Sequence, residues 1–145
     1  MDYKKILVPV DGSDHSLTAI DHAVALAKIT GGKVDLINVV DIAERVQIYT
    51  QFHAVYVPEN YLNDLLALGD QVIIEALTHL PDDVKGEVAV KTGEPREFLR
   101  DYIENREYDL VVMGNRGLGS LSGLVLGSVS QFLIHNAPCP VMIVK

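Results

Sequence analysis

Residues 5–13 read Lys-Ile-Leu-Val-Pro-Val-Asp-Gly-Ser, a short and almost unbroken apolar run that stops at an acid, a glycine and a hydroxyl. A strand with one face in water alternates apolar and polar residues, whereas a strand covered on both faces has no need to. Residues 5–10 are therefore read as a strand buried on both sides, and Asp11-Gly12-Ser13 as the turn that ends it. Strands of this kind belong to parallel sheets with helices above and below, so the stretch sets an α/β expectation for the whole chain.

The elements that follow agree with it. Leu17, Ile20, Val24 and Ala27 recur at helical spacing across residues 16–29, with Ser13 placed to cap the start and Gly31-Gly32 to stop the end. Residues 33–40 (KVDLINVV) make a second strand, and 41–58 show no clean period and read as a connection with one irregular turn. A long amphipathic helix is expected over 61–80, closed by Pro81. In 84–91, Val88 and Val90 alternate with Glu87, Ala89 and Lys91, the pattern of an edge strand. A helix at 95–105, an apolar strand at 109–113, a glycine-rich loop to Gly127, a helix at 128–136 and a last strand at 140–144 complete the chain.

Five strands alternating with four helices predict one domain, 1–145, folded as a three-layer doubly wound five-stranded parallel sheet of order 3-2-1-4-5. The two most apolar runs, strands one and four, take the centre. In such a sheet the winding reverses between them, and ligands bind in the crevice at their carboxyl ends. The loops 11–14 and 114–117 both lie there.

The bulk composition narrows the function. The 145 residues carry a formal charge of −8, with 48% hydrophobic and 22% charged residues, ordinary values for a folded domain. An acidic chain lacks the basic surface that binds nucleic acid or anionic lipid, so neither partner is expected. No apolar run is long enough for a membrane span or signal segment, and the single cysteine, Cys139, fits a reducing compartment; the expected location is cytoplasmic. His15, His22, His53, His79 and His135 have no metal-ligand spacing, so no protein-held metal is expected.

Gly127-Ser128-Val129-Ser130 opens a helix, where unpaired amides and the positive end of the dipole favour an anion. Glycines at 114, 117 and 127 would let an oxygen-rich ligand approach the main chain, the hydroxyls of Ser128 and Ser130 would add donors, and Arg116 is the nearest cation in sequence. The segment is not a Walker A loop, because GxxxxGK[ST] is absent, and it does not match the dinucleotide pattern GxGxxG.

What it does match is Gly114, two residues, Gly117, nine residues, then Gly127-Ser128. This resembles the G-2x-G-9x-G-(S/T) motif of the ATP-binding subgroup of the universal stress protein (UspA) family. The resemblance extends through KKILVPVDGS, VDLINVV, TGEPREFL, DLVVMGNRGLG and LGSVSQFLIHNAPCPVMIVK. It implies an adenine nucleotide alpha hydrolase-like, Rossmann-like fold and a stress-response or signalling module that binds ATP. Pro9, Val10 and Asp11 would line the adenosine side, Val39 would meet the base through its main chain, and Met113 and Gly114 would flank the ribose. Arg116, Gly117, Gly127, Ser128, Val129 and Ser130 would surround the phosphates, which would carry in Mg²⁺ themselves. The resemblance also implies a homodimer through the last strand, 140–144.

Other readings stand beside these. Asp11 is either a turn-capping acid beside Ser13 or an acceptor for ribose or base, and Arg116 either a solvated charge or a phosphate contact. Tyr49, Phe52 and Tyr56 are expected to cap the core, a lid or dimer surface being the alternative. No catalytic residue is evident; slow ATP hydrolysis would need Asp14 or a serine to place water. A phospho-acceptor receiver domain shares the topology, but strand three ends at Lys91-Thr92-Gly93 without an acceptor aspartate. The remaining rival is a dimeric scaffold that ignores nucleotides.

Overall fold

The continuous apolar runs do become the central strands. A computed structural model describes residues 2–52, 56–117 and 126–145. In chain order the elements are β1 (Lys5–Pro9), α1 (Asp14–Thr30), β2 (Lys33–Val40), α2 (Ile42–Phe52), α3 (Glu59–Leu77), β3 (Lys85–Thr92), α4 (Pro95–Arg106), β4 (Leu110–Gly114), α5 (Ser128–Asn136) and β5 (Val141–Val144). All strand pairs are parallel, in the order β3-β2-β1-β4-β5, with Ile6 of β1 opposite both Val34 and Leu110.

Alternation along the strands divides the core in two. Ile6, Val8, Leu36 and Val112 face α1 and α3, where Ala19, Ile20, Ala23 and Ile73 pack on them. Leu7, Ile37, Val111 and Met113 face α4 and α5, against Leu99, Ile103 and Leu133. Ile6, Leu7 and Val8 are wholly buried, and each such side chain contributes about 1.5–3 kcal/mol relative to exposure. Because α1 covers one face and α5 the other, the winding reverses between β1 and β4, and their following loops part there.

Local signals fix the ends of most elements. The Ser13 hydroxyl accepts from the Ser16 amide at 3.2 Å to cap α1, which Gly31 closes in the left-handed region at φ 67°. Glu94 caps α4, accepting from the Arg96 and Glu97 amides, with Pro95 at the first helical position.

Two expectations fail between β2 and α3. Residues 42–52 are a helix, α2, so the described residues hold five helices rather than four. α2 buries none of its residues, and a helix without a buried stripe leaves no apolar period to read. Its start is set by Asp41, whose Oδ1 accepts from the Glu44 amide at 2.9 Å. The aromatic residues do not cap the core: Phe52 and Tyr56 are 73% and 74% exposed, and Tyr49 packs on Tyr61 with ring centroids 4.4 Å apart. His53 lies outside the described residues.

Candidate functional site

A cleft of about 640 Å³ opens at the carboxyl ends of β1, β2 and β4, a size ordinary for small-molecule sites. All twelve candidate residues line it: Pro9, Val10 and Asp11 from the end of β1, Val39 from β2, Met113 and Gly114 from β4, Arg116 and Gly117 from the loop after it, and Gly127, Ser128, Val129 and Ser130 from the start of α5. A smaller hollow of about 450 Å³ beside α2 and Gly93 contains none of them.

The three glycines of the motif are glycines for different reasons. A Cβ on Gly114 would stand 2.7 Å from the Cβ and 2.9 Å from the carbonyl carbon of His15, so this position lets α1 lie close on β4. On Gly117 it would stand 2.6 Å from Asp11 Oδ2, across the cleft. On Gly127 the nearest described atoms, Arg116 Cα and the Gly117 nitrogen, are both 3.5 Å away, ordinary contact distances. Gly127 also has φ −60° and ψ 152°, a conformation open to any residue. Among the described residues, then, only at Gly127 does packing leave the missing side chain unexplained.

The helix start is shaped around Gly127. Its amide donates to the Asn115 carbonyl at 2.8 Å, which brings the two ends of the glycine-bearing loop together. Among the described residues no side chain caps α5, so the amides of its first turn have no described side-chain acceptor there. One expectation changes: the Ser130 hydroxyl donates to the Gly114 carbonyl at 2.8 Å and is buried, so its proton is already committed to joining α5 to β4. Ser128 is exposed.

Asp11 braces a turn and also lines the cleft. Its Oδ1 accepts from the Ser13 amide at 3.0 Å and the Ser13 hydroxyl at 2.6 Å, bracing the turn before α1, while its Oδ2 side faces Gly117 in the cleft. Arg116 is half-buried, and its Nε is enclosed without a hydrogen-bond partner among the described residues.

Several cleft residues escaped the sequence reading. Asn38 is 8% exposed and donates from Nδ2 to the Val10 carbonyl at 2.8 Å, tying the end of β1 to β2; in sequence it is one polar residue inside an apolar run. Leu65, Leu68, Val72 and Glu75 of α3 supply a wall. Arg45 adds a second cation to the cleft lining, carried by the helix that left no period.

Away from the cleft, burial and the nearby Asp109 push the Cys139 thiol upward, which keeps it protonated at neutral pH, as suits a packed thiol. Among the described residues no group of three or more His, Cys, Asp or Glu side chains is arranged to hold a metal ion, and no helix is long and apolar enough to cross a membrane.

With that geometry in place, comparison with known proteins is decisive at the level of family. The universal stress protein family profile matches residues 2–145. The chain belongs to the universal stress protein family. A universal stress protein of Methanocaldococcus jannaschii, MJ0531, is 34% identical over 145 residues, covering 99% of this chain and 82% of the relative. The solved structure of the hypothetical protein MJ0577 is similar across 100% of this chain and 97% of its own, at 29% identity and a TM-score of 0.82. A universal stress protein from Archaeoglobus fulgidus, solved in complex with dAMP, shares the fold at 19% identity and a TM-score of 0.71, with both chains wholly covered. The universal stress protein architecture read from the sequence, including its strand order, is the one observed.

Proposed function

We propose that this universal stress protein binds ATP, or another adenine nucleotide, in the cleft between β1 and β4, and acts as a cytoplasmic stress-response or signalling module of one domain. The observation that carries the reading is Gly127: a helix start with no side-chain cap among the described residues, in a cleft, at a residue whose missing side chain no described neighbour requires. Oxygen atoms brought against these amides would meet donors and the positive end of α5 without a Cβ in the way. Arg116, whose enclosed Nε has no hydrogen-bond partner among the described residues, would complete the phosphate end.

Pro9, Val10, Asp11 and the Val39 main chain would hold the adenosine side, with Met113 and Gly114 beside the ribose. The dAMP complex of the Archaeoglobus fulgidus protein supports this choice of ligand class through the shared fold. Mg²⁺ would come with the phosphates and would supply charge neutralisation, since among the described residues no cluster of three or more carboxylate, histidine or cysteine side chains is arranged to hold it. The protein's task in this reading is binding, with occupancy altering shape or partner affinity.

The deciding experiment is to denature the purified protein and identify any released nucleotide, then titrate nucleotide-free protein with ATP by calorimetry. Release of an adenine nucleotide with saturable heat supports the reading; an empty protein giving no heat sinks it.

The homodimer belongs to the same proposal. β5 is an edge strand, and Val141, Met142 and Ile143 remain half-exposed in the single chain. Pairing with a second copy would cover that edge. Sedimentation equilibrium should give twice the 15.9 kDa chain mass, and a monomer at micromolar concentration would remove this part.

A further inference from the structure

α2 is held unusually lightly. Helices of its length owe their stability in proteins chiefly to a packed face, yet α2 buries no residue. Its tethers include the Asp41 cap, the Tyr49–Tyr61 ring contact and a hydrogen bond from the Tyr61 hydroxyl to the Arg45 carbonyl at 3.3 Å. The cleft side of this helix carries Glu44 and Arg45. The Arg45 side chain forms no ion pair among the described residues.

The two walls of the cleft differ in what they attract. The β4–α5 wall offers Arg116 and the start of α5. The opposite wall carries Asp41, Glu44 and Glu75 around the apolar Leu65 and Leu68, with Arg45 its one cation among the described residues. Three carboxylates repel a polyphosphate, whereas an uncharged aromatic ring loses nothing by lying among leucines. The planar guanidinium of arginine stacks on aromatic faces in a way that a lysine ammonium does not reproduce.

Resting on the adenine-nucleotide reading, we propose that Arg45 is a base-contacting residue. It lays its guanidinium over the purine from α2, and the contact fixes that lightly held helix as a cover on the base end of the cleft. The juxtaposition also assigns the two arginines to different ends of the ligand: Arg45 to the base, Arg116 to the phosphates.

The test compares ATP, AMP and adenosine by calorimetry on the wild type, Arg45→Ala, Arg45→Lys and Arg116→Ala. Arg45 is exposed and alanine is the best helix former, so the first variant should fold and melt like the wild type. Arg45→Ala should weaken all three ligands by a similar factor of about tenfold, the range of a desolvated cation–aromatic contact. Arg45→Lys should recover only part of it, and Arg116→Ala should weaken ATP far more than adenosine. Saturation of the wild type with adenosine alone should slow amide exchange across residues 42–52. A loss confined to ATP, no loss at all, full rescue by lysine or unchanged exchange in α2 would each overturn the assignment. Failure of the wild type to bind any of the three would instead overturn the nucleotide reading on which it rests.

Discussion

Gly117 and Asp11 face each other across the cleft so closely that a Cβ on Gly117 would stand 2.6 Å from Asp11 Oδ2. The contact joins the turn after β1 to the loop after β4, the two segments between which the winding of the sheet reverses. It also changes what a substitution there reports. Placing valine at 117 would obstruct phosphate, but it would first displace the carboxylate that braces Ser13.

Gly127→Ala is consequently the cleaner variant. Its Cβ meets only ordinary contacts among the described residues and its backbone is extended, so stability should change by no more than about 0.5 kcal/mol, as at an uncomplicated surface site. ATP affinity should fall at least about tenfold, because the added Cβ would stand where phosphate oxygens pass residue 127 to reach the amides of the first turn of α5. Gly114→Ala should do the reverse in emphasis, lowering stability by about 1–3 kcal/mol because its Cβ strikes the His15 backbone. Chemical denaturation and calorimetry on both variants separate the effects; unaltered ATP affinity in Gly127→Ala would remove the main support for the phosphate site.

The contrast marks how far the sequence could be read. Strand order was legible because β1 and β4 are continuous apolar runs while β3 is half polar, and burial on one face or two leaves that difference in the residues themselves. The family resemblance that the glycine motif carries supplied the twelve candidates, and all of them line one cleft. What spacing lacks is the identity of the atom that crosses to meet each glycine: His15 at 114 and Asp11 at 117 come from another loop and helix. α2 was invisible for a related cause, since only burial imprints a period, and with it went Arg45.

At the far end of the sheet a buried polar pair sets a stability test. Asp35 is 4% exposed; its Oδ1 accepts from the Glu87 amide at 2.7 Å and its Oδ2 from the Tyr108 hydroxyl at 2.8 Å. Tyr108→Phe leaves a buried carboxylate oxygen without its donor, and should cost about 1–3 kcal/mol. Burial, reinforced by Asp35, pushes the Tyr108 phenol well above its ordinary value of 10.0. The folded state therefore holds the proton that the unfolded state gives up, so stability from this group is complete below pH 10 and declines above it. Urea midpoints between pH 8 and 11 should fall more steeply for the wild type than for Tyr108→Phe; parallel curves would contradict the pairing.

Glu94 gives the acid counterpart. Burial pushes its carboxyl upward, but the Glu97 and Arg96 amides and the Arg96 guanidinium outweigh this and hold it below the ordinary 4.5. A depressed folded value contributes stability that is present above the unfolded value and is lost as pH falls through the folded one. Glu94→Ala removes the cap of α4 and should cost about 1 kcal/mol at pH 7. The deficit should shrink toward pH 3 as the wild-type carboxylate protonates, and a deficit independent of pH would show that its charge is not what caps the helix.

Magnesium should matter to ATP binding for a reason visible in the cleft lining. Asp11, Asp41, Glu44 and Glu75 stand against Arg45 and Arg116, four acids to two cations among the described residues, on a chain of formal charge −8. A triphosphate entering alone meets that excess of negative charge, and in a partly enclosed cleft the repulsion is screened less than on an open surface. With Mg²⁺ on the phosphates much of it is cancelled. Saturation at a hundred times the dissociation constant stabilises a fold by about 2.7 kcal/mol, roughly 5–10 °C in melting temperature for a chain of this size. The full shift should appear with Mg²⁺ and ATP together and shrink when a chelator is added at the same ATP concentration, whereas adenosine should give a shift that the chelator leaves alone. Equal shifts for ATP with and without the metal would mean that the amides and Arg116 neutralise the phosphates unaided.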